Sequence, residues 1–166
     1  MTQERILITG AGGFVGGALA IGFAELGWRV IALDRSFEGG EDDRIQRIVV
    51  DLDGDMPADT PDVDVIVHAA WLTTGPDDLG MTQADYALAN VGPTLAVLRW
   101  ALEIDPRAVI FLSSSGVFAP GDAITGLTDE NEPTGTSSYA RAKRACEEMV
   151  LGGISEDVTD GPRGRR

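Results

Sequence analysis

TGAGGFVGG, residues 9–17, puts five glycines into nine positions. Read alone, the stretch is either a flexible linker or a turn shaped to hold a phosphate. Its flanks favour the turn. Residues 5–9 (RILIT) are short, β-branched and apolar, as a strand buried in a parallel sheet should be, and residues 14–26 have the composition of a helix. The glycines therefore sit at a strand-to-helix junction.

Gly10, Gly13 and Gly16 are spaced G-x-x-G-x-x-G, a variant of the dinucleotide-binding fingerprint. Gly10 would let the chain turn sharply, Gly13 would let backbone approach a pyrophosphate, and Gly16 would let the helix pack on the strand. The helix N-terminus supplies partial positive charge and free N–H donors. No Gly-Lys-Ser/Thr follows, which disfavours a P-loop enzyme. The second element is Asp34, closing the next apolar run 18 residues after Gly16. A carboxylate there can accept both ribose hydroxyls of adenosine and repels a 2′-phosphate, favouring NAD. Arg35, next to it, could instead neutralise a 2′-phosphate, so NADP is the less favoured alternative.

The chain has 166 residues, enough for one domain with a sizeable core. With 43% hydrophobic and 24% charged residues it is ordinary for a soluble globular protein. A formal charge of −14 opposes binding to nucleic acid or anionic lipid. A single cysteine, Cys146, excludes an internal disulfide, and no Cys/His group has zinc spacing, so no metal is expected. No stretch reads as an export signal or a membrane span, and the expected location is cytoplasmic.

Strand-like runs recur at residues 5–9, 29–33, 47–50, 64–68 and 108–112, and helical stretches at 14–26, 82–103 and 138–151. This alternation predicts an α/β fold: a doubly wound parallel sheet of five strands in a three-layer αβα arrangement. Pro93, inside the second helix, is expected to kink or divide it. Residues 37–44 and 53–62 read as loops, and residues 116–137 form a long loop after the fifth strand, where ligand sites gather. Residues 1–151 make one domain; residues 152–166 read as a loose tail open to disorder.

Tyr139 and Lys143 lie four residues apart, on one face of a helix. Bringing a tyrosine pKa from about 10 to near neutrality takes roughly 4 kcal/mol, which a neighbouring ammonium and a cationic nicotinamide could supply. The plainer reading is a surface tyrosine beside a solvated lysine. Ser113, Ser114 and Ser115 end the fifth strand, where hydroxyls either bond a substrate oxygen or satisfy loose backbone groups.

Together these residues resemble the extended short-chain dehydrogenase/reductase family, the NAD-dependent epimerase/dehydratases, with a Rossmann-type fold. The matching residues are Thr9-Gly10-x-x-Gly13-Phe14-x-Gly16, Asp34, Asp51-Leu52, His68-Ala69-Ala70, Asn90-x-Gly92, Ser113-Ser114-x-x-Val117-Phe118 and Tyr139-x-x-x-Lys143. The resemblance implies that Gly10, Gly13, Phe14, Val15 and Gly16 surround the pyrophosphate and that Asp34 holds the ribose, with Arg35 adjacent. Asp51 and Leu52 would flank the adenine, Ala69 and Ala70 would line the cofactor, and Asn90 would brace the active-site helix. Lys143 would bind the nicotinamide ribose and lower the pKa of Tyr139, the acid/base, while Ser114 would orient the substrate oxygen, with Ser115 a possible substitute. The implied substrate is a sugar, sugar nucleotide or sugar acid, handled by hydride transfer. The implied assembly is a homodimer through the helices at 82–103 and 138–151.

Two features depart from the family pattern. Phe118-Ala119 stands where Tyr-Gly is usual, deleting a hydroxyl. Family members also continue into a C-terminal substrate region that this sequence does not match, so the expectation is a missing substrate half and an exposed fifth strand. That keeps a competing class open: a catalytically silent NAD-binding or interaction module, or one chain of a hetero-oligomer. His68 reads as structural at the end of its strand. Trp71 either borders the nicotinamide or caps the core, Trp28 and Trp100 read as packing residues, and Cys146 is given no redox role. Glu41, Asp42 and Asp43 read as a solvated loop.

Overall fold

The computed structural model describes residues 3–40, 42–119, 127–128 and 130–155. Five strands, β1 (Arg5–Thr9), β2 (Arg29–Asp34), β3 (Ile45–Val49), β4 (Val65–His68) and β5 (Ala108–Phe111), form one parallel sheet in the order β3-β2-β1-β4-β5. Four α-helices accompany it: α1 (Phe14–Glu25), α2 (Pro76–Leu79), α3 (Gln83–Ile104) and α4 (Ser138–Ser155).

The central strand shows why the sequence folds this way. Ile6, Leu7 and Ile8 are all fully buried, because β1 is covered on both faces. Ile6 and Ile8 join Ala20 and Ala24 of α1, while Leu7 turns the other way to Val97, Trp100 and Ala101 of α3. Each such side chain contributes about 2 kcal/mol by leaving water. The two clusters give the three-layer αβα sandwich, a Rossmann-type fold as expected. Trp100 lies in the second core, and Trp28 packs at the edge of the first against Phe23, ring centroids 5.5 Å apart.

Several predicted boundaries move. β3 starts at Ile45 rather than residue 47, and α4 runs to Ser155 rather than ending at residue 151. Of the predicted tail, residues 156–166 lie outside the described residues, as do Glu41 of the acidic loop and residues 120–126 of the long loop. Within that loop a short 3₁₀ turn forms at Ser115–Val117. The expected division at Pro93 does not occur: α3 is one helix of 22 residues. Thr82 caps its start by accepting the Asp85 amide, and Tyr86, Asn90, Thr94 and Val97 bury one face, holding it together through the missing N–H.

The register brings the site together. Thr9 pairs with Leu33 on one side and His68 on the other, and His68 pairs with Phe111. The carboxyl ends of β2, β1, β4 and β5 thus form one rim. β5 is the last strand at that side of the sheet, with Ile110 partly open.

Candidate active site

The glycine turn is built by close approach. Gly10 has φ of +70°, and a Cβ there would lie 2.6 Å from the backbone nitrogen of Ala70, so β1 and the segment after β4 touch through bare backbone. A Cβ on Gly16 would sit 2.2 Å from the Gly10 carbonyl oxygen. Gly13 caps α1 in an extended conformation, without a side-chain cap and with no acidic residue in the first turn. The helix N-terminus therefore offers its first amides to the cleft that Gly13, Phe14, Val15 and Gly16 line.

Gly12 escaped the sequence reading. Its amide donates to Asp34 Oδ2 at 2.9 Å, and a side chain there would collide with the Ser36 carbonyl, 2.1 Å from the would-be Cβ. Asp34 Oδ1 accepts the Arg35 amide at 2.7 Å, so both oxygens are oriented while lone pairs remain for a ligand.

The cleft has a volume of about 990 Å³. It runs from Asp34, Arg35, Asp51, Leu52 and Asp53 past the glycine turn to Ala69, Ala70 and Trp71, with Leu88, Ala89, Gly92 and Pro93 of α3 along one wall. All the residues expected to hold a dinucleotide through its adenosine and pyrophosphate meet there. Leu52 is buried in the second core, whereas Asp51 and Arg35 are exposed.

Below the rim runs a buried polar chain. The Ala70 amide donates to Thr9 Oγ1 (3.2 Å), Thr9 Oγ1 lies 2.7 Å from His68 Nδ1, and His68 Nε2 lies 2.9 Å from Thr94 Oγ1. Thr94 in turn reaches the Asn90 carbonyl at 3.2 Å and Cys146 Sγ at 3.3 Å. A neutral His68 protonated on Nε2 satisfies every member. Burial, with the Lys143 charge second, pushes the His68 pKa down to about 3, and both ring nitrogens are taken by Thr9 and Thr94. Asn90 accepts the Leu72 amide at 2.8 Å and donates to the Tyr86 carbonyl, while the buried Tyr86 hydroxyl donates to the Leu72 carbonyl at 2.7 Å. Asn90 thus braces the segment after β4, with Tyr86 as a partner the sequence reading missed.

Ser114 and Tyr139 border Gly116, and Tyr139 and Lys143 both contact the Trp71 ring. A Cβ on Gly116 would lie 3.1 Å from Tyr139 Cε1 and 3.2 Å from Ser114 Oγ, so both groups border the same point and a side chain there would have to push them by a few tenths of an ångström. Ser114 Oγ accepts the Gly116 amide at 3.0 Å. Lys143 is buried; its ammonium donates to the Leu112 carbonyl at 2.6 Å and stands 3.8 Å from the Trp71 ring centroid. Burial lowers its pKa to about 8, against upward pulls from Cys146 and Glu147. Ser113 donates to Glu147, one turn along α4, so that helix grips the end of β5 at two successive residues. None of Ser114, Tyr139 and Lys143 is among the described residues lining the cleft, whereas Trp71, which contacts Tyr139 and Lys143, does line it. Among the described residues no group of His, Cys, Asp and Glu could hold a metal, and no helix is long and apolar enough to cross a membrane.

A model of the NAD dependent epimerase/dehydratase family matches residues 6–157. The chain belongs to that family. It is 30% identical over 149 residues to dTDP-4-dehydrorhamnose reductase of Mycolicibacterium smegmatis, covering 89% of this chain and 42% of that one. It is 27% identical over 151 residues to UDP-glucose 4-epimerase of Halalkalibacterium halodurans, covering 87% and 44%. A solved UDP-galactose 4-epimerase superposes with a TM-score of 0.76 at 30% identity, over 88% of this chain and 50% of that one. The chain spans half or less of the length of each of these epimerase/dehydratase relatives.

Proposed function

We propose that this chain is the NAD-binding part of an epimerase, dehydratase or dehydrogenase acting on a sugar, sugar nucleotide or sugar acid. One observation carries the reading: an uncapped helix N-terminus and an oriented Asp34 carboxylate open into one cleft with the glycine turn between them. The residues fit the cofactor, since the turn that brings the α1 amides to the cleft rests on backbone contacts that a Cβ at Gly10, Gly12 or Gly16 would break, and the cleft holds about 990 Å³. Gly10, Gly13, Phe14, Val15 and Gly16 would hold the pyrophosphate, Asp34 the adenosine ribose, Asp51 and Leu52 the adenine, and Ala69 and Ala70 the middle of the cofactor. When bound, NAD supplies the hydride acceptor.

The chain's own groups supply the proton chemistry. Tyr139 takes the proton of a substrate hydroxyl, Ser114 orients that oxygen, and Lys143 favours the phenolate by its positive charge. A second reading, a module that binds NAD without turnover, draws on Ser114, Tyr139 and Lys143 lying outside the described cleft lining. Nicotinamide absorbance followed over a panel of sugar nucleotides and sugar acids separates the two. Turnover that falls at least 100-fold in Tyr139→Phe, with NAD binding intact, supports the enzyme; NAD binding with no turnover on any member supports the module.

A further inference from the structure

Lys143 is the only lysine among 13 basic residues, and its charge is buried on aromatic rings rather than on a carboxylate. Trp71 makes three contacts there. The Lys143 ammonium lies 3.8 Å from its ring centroid, the Tyr139 ring meets it T-shaped at 6.0 Å and 77°, and the Phe111 ring meets it at 6.0 Å and 67°. Phe111 offers the ammonium a second ring at 4.6 Å. Trp71 is also the member of this group that lines the cleft. Its backbone position is set by the neighbouring Leu72, clamped by Asn90 and Tyr86.

We propose that Trp71 is the positioning residue of the acid/base set: its indole carries the Lys143 ammonium and braces the Tyr139 ring, so one side chain at the end of the cleft sets where both groups sit. The proposal rests on the enzymatic reading of Tyr139 and Lys143. The physical reason is that a buried ammonium with one carbonyl acceptor needs a further source of negative potential, which an aromatic ring supplies. The other titratable groups around Lys143 are Tyr139, Cys146 and Glu147 on its own helix and His68 on β4. Cys146 is pushed up by burial and His68 pushed down, so both stay neutral near pH 7 and neither replaces the ring. Glu147 hydrogen-bonds Ser113, which holds its carboxylate at the strand end.

A lone lysine makes the test direct. Protein labelled with ¹³C at the lysine ε-carbon gives one lysine signal, titrated by NMR against pH in wild type, Trp71→Phe and Trp71→Leu. Wild type is expected to titrate near pH 8. Leucine keeps the site apolar but removes the ring, so its midpoint is expected about one pH unit lower, and phenylalanine restores most of the difference. A leucine midpoint equal to or above wild type overturns the proposal. So does the absence of a nuclear Overhauser contact between the ε-CH₂ and indole protons in wild type, a measurement that stands even where Trp71→Leu fails to fold. Calorimetry with NAD on the same wild-type sample keeps the two claims apart: no binding sinks the dinucleotide reading, while the lysine titration still decides what Trp71 does.

Discussion

At Asp34 one carboxylate oxygen takes the Gly12 amide and the other takes the Arg35 amide, which orients the group toward the cleft without any ligand. His68 illustrates the opposite use of a polar side chain, one whose value lies in staying uncharged. Its pKa is near 3 in the folded chain against an ordinary 6.5, so between those values the unfolded chain binds a proton that the folded chain does not. Stability therefore falls as pH drops through that window. Urea unfolding at pH 7 and pH 4.5 should show His68→Gln losing about 2–3 kcal/mol less than wild type over the interval; equal losses would refute the assignment. The strand-end placement of His68 was legible in the sequence. Its hydrogen-bond partners Thr9 and Thr94 were not, because they are far apart along the chain and meet only through register and helix packing.

Among the elements, β1 and α1 were the most readable, since an apolar run, a glycine turn and a helical run follow one another without interruption. The short helix α2 and the 3₁₀ turn after β5 were missed, as each is too short to show a period. Pro93 does not divide α3, because propensity describes an isolated helix, whereas α3 is held by burial of Tyr86, Asn90, Thr94 and Val97. The glycine turn makes its own prediction. Gly12→Ala forces a Cβ against the Ser36 carbonyl and should weaken NAD binding at least tenfold, as read by calorimetry. Gly22→Ala, in α1 with open space around the added carbon, should leave binding unchanged and raise stability by about 0.5–1 kcal/mol. The same loss of binding in both variants would show that the turn's close contacts are not what matters.

Across the whole molecule, the parallel sheet gathers the ends of β2, β1, β4 and β5 into one rim, and the candidate site occupies it. A net charge of −14 would oppose a dianionic ligand, and the cleft itself is lined by Asp34, Asp51, Asp53 and Asp85 against Arg35. No acidic residue lies in the first turn of α1, so its amides would take a pyrophosphate, while Asp34, held by the amide of Gly12 just before the helix, would reject an additional phosphate on the ribose. Isothermal titration of the protein with NAD and with NADP, repeated on Asp34→Ala, tests this division of charge. Saturable NAD binding is expected, with weaker NADP binding and a loss of roughly 10–100-fold for NAD in the variant, the worth of hydrogen bonds to a charged group. Folded wild-type protein that binds neither nucleotide, or NAD binding indifferent to Asp34, would contradict it.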